Sequence, residues 1–429
     1  MTIEIIKGNS IPLKGEFTPP GDKSISHRAV ILGSLAEGLT TVKGFLSCED
    51  TLSSAKAMMM LGVPIEVEGD RVEIKGKGLF GLTEPEDTID AGNSGTTARL
   101  ISGLLSAQGF FSTITGDKYL RERPMERIVK PLTLMGAKIW GRDGGKRLPL
   151  AIQGNKLSAI QYQLPIASAQ VKSAILLAGL YADGETEIIE PTPTRDHTER
   201  MLSYFGAEFE KNGMSVKIKN QKLLKGGEVQ VPADISSAAF FIVAALINPN
   251  SDVLIKNVGI NPHRTGILEI LKQMGGDIEI LNERELNGEP VGDILTRSST
   301  LNSTEIKGDI IPKAIDELPV IAAAGCFAEG ETIIKDAKEL RVKETDRIRA
   351  MTTELRKLGA EVEELDDGMI IKGKGMLKGA KCSSWGDHRI AMALAVAGTR
   401  AQGITEIEDA ECVSVSFPGF FDVMKKLRS

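Results

Sequence analysis

The chain has 429 residues, more than one compact core usually holds, so two or three domains are expected. Hydrophobic residues make up 41% and charged residues 26%, as in ordinary globular proteins. The formal net charge is −6, with no long basic run and no interleaving of basic and aromatic residues, which argues against a nucleic-acid partner.

Residues 1–7 lack the basic start and apolar centre of a signal peptide, and strands are expected over 3–6 and 11–17. A helix is expected to open at Gly21-Asp22-Lys23-Ser24-Ile25-Ser26-His27-Arg28. Ser24 and Arg28 then share a face at the helix start, where free N–H groups already favour anions. A lysine, a hydroxyl and an arginine there worsen the charge balance unless something negative binds; a solvated basic helix end is the plainer alternative. One pattern then recurs five times: a helix, a capping glycine (Gly62, Gly136, Gly206, Gly275, Gly359) and an alternating strand pair. A sixth copy starts at Phe420–Leu427 and runs out of chain, and the two N-terminal strands are expected to complete it. A period of about 70 is longer than that of ordinary solenoid repeats. The expected fold is therefore α/β, with two similar domains of three units each. One domain would take residues 1–20 and 232–429, the other 21–231. Gly76-Lys77-Gly78-Leu79-Phe80-Gly81 matches a dinucleotide fingerprint, but no helix opens after it, so it reads as the end of a hairpin.

Further basic segments recur along the chain. Asp90-Ala-Gly-Asn-Ser-Gly-Thr-Thr-Ala-Arg99 opens a helix with amides able to receive an anion; plain capping by Asn93 or Ser94 explains it equally. In Arg121-Glu122-Arg123-Pro124 the proline suits a first helical position and holds Arg123 extended before it. Arg123 then faces either an anion or Glu122 and Glu126. Ser168 and Gln170 precede an apolar helix and suit hydroxyl recognition, and Ala238–Ile247 reads as a core helix too short for a membrane span. Asp316 leads another apolar helix, as a cap or as a base. Arg341-Val-Lys-Glu-Thr-Asp-Arg347 puts Lys343, Glu344 and Arg347 together at a helix beginning. Two cations about 4 Å apart repel there by roughly 4 kcal/mol at an effective dielectric of 20, so binding an anion accounts for them better than stability does. Arg389 repeats the theme. The four cysteines form no metal-ligand spacing and are read as reduced thiols, so neither a metal nor a cofactor is expected. The inventory suits small substrates carrying several phosphate and carboxylate groups, with acid–base chemistry between them.

The motifs GDKSISHR, GNSGTTAR, RERPM, SAQVKSA, TRDHTE, RVKETDR and DHRIAM, in this order, closely resemble the 5-enolpyruvylshikimate-3-phosphate synthase family, in its class II-like branch. The resemblance implies transfer of the enolpyruvyl group of phosphoenolpyruvate to the 5-hydroxyl of shikimate 3-phosphate, releasing phosphate, in aromatic amino acid biosynthesis. It also implies an inside-out α/β barrel of βαβαββ units in each domain, with substrates held in the cleft between them. By resemblance, Lys23, Ser24, Arg28, Ser168, Gln170, Arg195, Asp316 and Lys343 contact shikimate 3-phosphate. Lys23, Gly95, Arg123, Gln170, Arg347 and Arg389 form the phosphoenolpyruvate pocket. Asp316 resembles the base that takes the 5-hydroxyl proton, Glu344 the acid that protonates the methylene carbon, and Lys23 a lysine that contacts both substrates and takes part in proton transfer. A cytoplasmic monomer with no membrane partner is expected. The chain departs from many members at Ala169, where they carry a serine, and at Val415, where they carry a lysine; Gly95 remains glycine. Two alternatives are the related UDP-N-acetylglucosamine enolpyruvyl transferases and a noncatalytic anion-binding protein. The residues around Gly116 and Asp117 lack the cysteine loop of the first, and Asp316 beside Glu344 is of no use to the second.

Overall fold

Gly62, Gly136, Gly206, Gly275 and Gly359 all adopt positive φ, from +87° to +106°, the left-handed conformation that stops a helix and turns the chain into a strand. The structure, a computed structural model, describes residues 2–429. The unit built on Gly136 shows the plan. Strand Ile89–Asp90 is followed by helix Gly95–Leu105 and then by strand Phe111–Thr115, parallel to the first. Helix Glu126–Leu134 leads to the antiparallel pair Lys138–Gly141 and Arg147–Gln153. The last strand inserts beside Phe111–Thr115, with Phe111 opposite Gln153. This pairing pattern recurs in five four-stranded sheets, in one of which the edge strand Glu228–Gln230 comes last in the chain, and the remaining sheet has three strands.

The three-stranded sheet corrects one expectation. Ile3–Lys7 does enter the incomplete sixth unit, antiparallel to Ile404–Glu408, in the place of the inner hairpin strand. Its end behaves like the others: a Cβ on Gly8 would lie 1.7 Å from the Ala401 carbonyl oxygen, as one on Gly154 would lie 1.6 Å from that of Gln108. The second N-terminal strand does not join it. Lys14–Phe17 runs parallel to Asp252–Gly259 and opens a different unit, whose helix Ile235–Ile247 comes only after residues 21–231.

The chain divides into two compact units. One comprises Met1–Pro20, Pro232–Glu285 and Pro290–Ser429, the other Gly21–Val231 with Leu286–Glu289. Each has its own hydrophobic core. In the first, helices Ile235–Ile247, Leu318–Gly325 and His388–Arg400 are buried almost all round and pack on one another. In the second, Lys23–Leu35, Gly95–Leu105 and Ala169–Gly179 do the same. A helix apolar on every side has to lie at the centre of a core. The strands, such as Glu185–Ile189, alternate buried and open positions and so form the outer layer. Helices thus lie inside and sheets outside. Among the described residues no helix is long and apolar enough to cross a membrane. The cysteines are unbridged, and burial pushes the thiols of Cys326, Cys382 and Cys412 up to about 12.

Candidate active site

Each central helix begins where its sheet ends, so each unit gathers three helix starts. In the 21–231 unit, the Asp22 side chain accepts from Ile25 N at 2.9 Å and fixes the first turn. Lys23 Nζ lies 3.0 Å from Asp50 Oδ2. Arg28 is buried; its Nε donates to Thr198 Oγ1 at 2.7 Å and its Nη2 to Ser173 Oγ at 2.9 Å, and Nη1 donates to the Ser24 carbonyl. Burial lowers its pKa to about 10, partly opposed by the charge of Glu199. Arg195 is half-buried and close enough for its charge to act on Arg28 in the same direction as burial. His27, also buried, is held neutral, its pKa lowered to about 3 chiefly by burial; its Nδ1 lies 2.8 Å from Ser54 Oγ.

A second group surrounds Gly95. Ser94, not Asn93, caps this helix, accepting from Thr97 N at 3.1 Å. Asn93 instead takes Arg123: its Oδ1 accepts from Nη2 at 3.0 Å. Arg123 is extended, as a following proline requires, but the helix begins only at Glu126, two residues beyond Pro124. The alternative pairing of Arg123 with Glu122 does not form; Glu122 bonds to Arg142 and Arg147. Arg99 Nη1 donates to Gln170 Oε1 at 2.6 Å, and Gln170 Nε2 donates to Thr96 Oγ1 at 3.1 Å. A Cβ on Gly95 would meet Nη1 of Arg99 at 2.7 Å and Nη1 of Arg123 at 3.4 Å, so two guanidinium groups crowd this glycine. Ser168 caps helix Ala169–Gly179.

The other unit holds the acids. Asp316 does not cap its helix, which starts at Leu318. Its Oδ1 lies 3.3 Å from both Lys343 Nζ and Arg347 Nη1. Of the three residues expected at this helix beginning, only Arg347 belongs to the helix Arg347–Lys357; Lys343 and Glu344 precede it in the loop. Arg347, 1% exposed, also pairs with Glu344 Oε2 at 2.5 Å and Asp387 Oδ2 at 2.8 Å. Burial alone would weaken its charge, but Asp387, Glu344 and Asp316 outweigh it and hold Arg347 above the ordinary guanidinium value. Arg389 Nη1 donates to the Asp316 carbonyl at 3.1 Å, and Asp387 caps that helix by accepting from Arg389 N at 2.8 Å.

These pairings correct the expectation of uncompensated cations. Lys23 and Arg347 already face carboxylates, and the repulsion expected between Lys343 and Arg347 is relieved by Asp316 between them. Sequence reasoning missed Asp50, Asp387, Arg99 and the buried Lys172. Arg99 was visible in its motif, and Lys172 as the one lysine of an apolar helix; nothing local marked the two aspartates as partners.

Two sets of three βαβαββ units, with cations and acids gathered at the starts of their central helices, make this an enolpyruvyl-transferase fold. The family model of EPSP synthase (3-phosphoshikimate 1-carboxyvinyltransferase) matches residues 8–424. A 3-phosphoshikimate 1-carboxyvinyltransferase of Geobacter sulfurreducens is 55% identical over 415 residues, 97% of each chain. One from Geotalea daltonii is 56% identical over 408 residues, 95% of each. The solved EPSP synthase of Acinetobacter baumannii superposes with a TM-score of 0.90 at 48% identity, covering 99% of this chain and 98% of that one. The chain belongs to the EPSP synthase family.

Proposed function

We propose that the protein joins the enolpyruvyl group of phosphoenolpyruvate to the 5-hydroxyl of shikimate 3-phosphate and releases phosphate, and that the residues gathered above act on this one pair of substrates. The observation that carries the reading is the Asp316 carboxylate, which does not cap its helix and lies 3.3 Å from two cations. In this reading Asp316 takes the hydroxyl proton as the oxygen attacks C2 of phosphoenolpyruvate. Glu344 or Lys23 delivers a proton to C3, which becomes a methyl group in a tetrahedral adduct. Loss of one methyl proton and cleavage of the bond from C2 to the phosphate oxygen then give the enol ether and inorganic phosphate. Arg28, Arg195, Ser24, Ser168, Gln170 and Lys343 would hold shikimate 3-phosphate. Arg123, Arg347 and Arg389, with Lys23, Gln170 and the Gly95 backbone, would hold phosphoenolpyruvate. Fixed donors of this kind stabilise developing charge without reorganising. Existing ion pairs such as Lys23 with Asp50 keep the cations in place before substrate arrives.

The test is phosphate release by the purified protein. Release is expected only with both substrates. Release with phosphoenolpyruvate and UDP-N-acetylglucosamine would move the chain to the related enolpyruvyl transferases, and release with neither pair would overturn the reading.

A further inference from the structure

Lys172 sits on the apolar helix Ala169–Gly179 with a side chain 0% exposed. A buried ammonium is costly unless paired, and packed apolar residues usually replace such an ion group without loss of stability. Here two carboxylates meet it: Glu190 Oε2 at 2.9 Å and Glu199 Oε1 at 2.6 Å, themselves almost fully buried. Burial alone would lower the lysine's pKa, but the two acids outweigh it and keep the group charged above the ordinary value.

What the two acids are attached to gives the arrangement its meaning. Glu190 follows strand Glu185–Ile189, and its other oxygen accepts from the backbone N of Thr194 at 3.2 Å and from the Thr194 hydroxyl. That closes the loop immediately before Arg195. Glu199 follows Thr198, whose hydroxyl accepts from Arg28 Nε, while Ser173, next to Lys172, accepts from Arg28 Nη2. The Ser173 and Thr198 hydroxyls lie 2.6 Å apart, a second link between helix Ala169–Gly179 and helix His197–Tyr204, which carries Thr198 and Glu199. One ammonium therefore grips both ends of the segment 190–199, and that segment carries Arg195 and a partner of Arg28.

We propose that Lys172, with Glu190 and Glu199, is a positioning group that sets Arg195 and Arg28 for the phosphate and carboxylate of shikimate 3-phosphate. This rests on the assignment of those two arginines to that substrate. Its role is positional, since it acts through other side chains.

Two variants test it. Lys172→Met removes the cation, and Thr194→Val removes the hydroxyl bond from Thr194 to Glu190 while leaving the backbone bond and the ion group intact, so the second keeps the test alive if the first does not fold. The Michaelis constant for shikimate 3-phosphate is expected to rise tenfold or more in Lys172→Met and at least threefold in Thr194→Val. That for phosphoenolpyruvate should stay within twofold in both. A merely structural role would instead raise both constants together or neither, and either result in Thr194→Val overturns the proposal. Arg28→Ala and Arg195→Ala serve as controls. If neither weakens shikimate 3-phosphate, the parent assignment fails and takes the proposal with it; if they do and Thr194→Val does not, only the proposal fails.

Discussion

Alanine in place of Gly95 would put a methyl carbon 2.7 Å from Nη1 of Arg99 and 3.4 Å from Nη1 of Arg123. Ordinary contact distances are about 3.5 Å, so Arg99 would have to withdraw by roughly 0.8 Å. It is tied at 2.6 Å to Gln170 Oε1 and at 3.1 Å to the Pro124 carbonyl, so the withdrawal breaks or badly stretches one charge-assisted hydrogen bond. Such a bond contributes about 1.5–3 kcal/mol, which corresponds to roughly ten- to hundredfold in affinity for a ligand held by the same groups. The helix itself should tolerate the change, because alanine is favoured over glycine there by up to about 1 kcal/mol. The assay is the Michaelis constant for each substrate with the other saturating, together with the melting temperature. For Gly95→Ala the constant for phosphoenolpyruvate should rise about ten- to hundredfold, with that for shikimate 3-phosphate within about threefold and a fall in melting temperature of no more than a few degrees. An unchanged phosphoenolpyruvate constant, or a general loss of stability with both constants raised, would refute the crowding argument.

The role assignments separate by kinetics. Asp316→Asn should lower kcat by about 10²- to 10⁴-fold with modest change in KM, the usual scale for losing a general base, whereas Arg123→Ala should mainly raise KM for phosphoenolpyruvate; matching profiles would undo both roles. His27 gives a pH prediction. Its pKa is lowered to about 3 in the fold, against about 6.5 in the unfolded chain, so between those values the unfolded state binds more protons and stability falls as pH falls. At pH 5 the loss relative to neutral pH is about 2 kcal/mol from this group. Urea titrations at pH 7 and pH 5 should show His27→Asn losing about 2 kcal/mol less than the unaltered protein over that interval. Equal losses would place the imidazole in a wetter setting than the structure gives it.

The repeating plan could be read from the sequence because its signals are local. A capping glycine and the alternating pair after it lie within some fifteen residues, as at Leu358-Gly359-Ala360 and the strands Glu361–Leu365 and Gly368–Lys372. The two N-terminal strands were harder, since both alternate alike. Only pairing with partners far along the chain, Ile3 with Glu408 and Asp252 with Lys14, sends one to each sheet. The site divides in the same way. Arg28, Arg123, Arg347 and Arg389 stand out as cations at or beside helix starts, yet what faces them comes from elsewhere in the chain. Asp387 lies forty residues beyond Arg347 and supplies both its ion pair and the cap of the helix that carries Arg389. A net charge estimated segment by segment therefore overstated the repulsion, because the carboxylates that relieve it are contributed by other helices.

The most direct measurement is the reaction run in heavy water, with the product's vinyl group examined by NMR. If the 5-oxygen adds to C2 while a side chain protonates C3, the carbon passes through a methyl stage of two original hydrogens and one solvent deuterium, and losing either original hydrogen leaves deuterium in the product's methylene. Deuterium there, accompanied by one phosphate per enol ether, is the outcome the account requires. A product formed at full yield with an unlabelled methylene would mean that C3 is never protonated by exchanging groups, and the addition–elimination route would fall together with the roles given to Glu344 and Lys23.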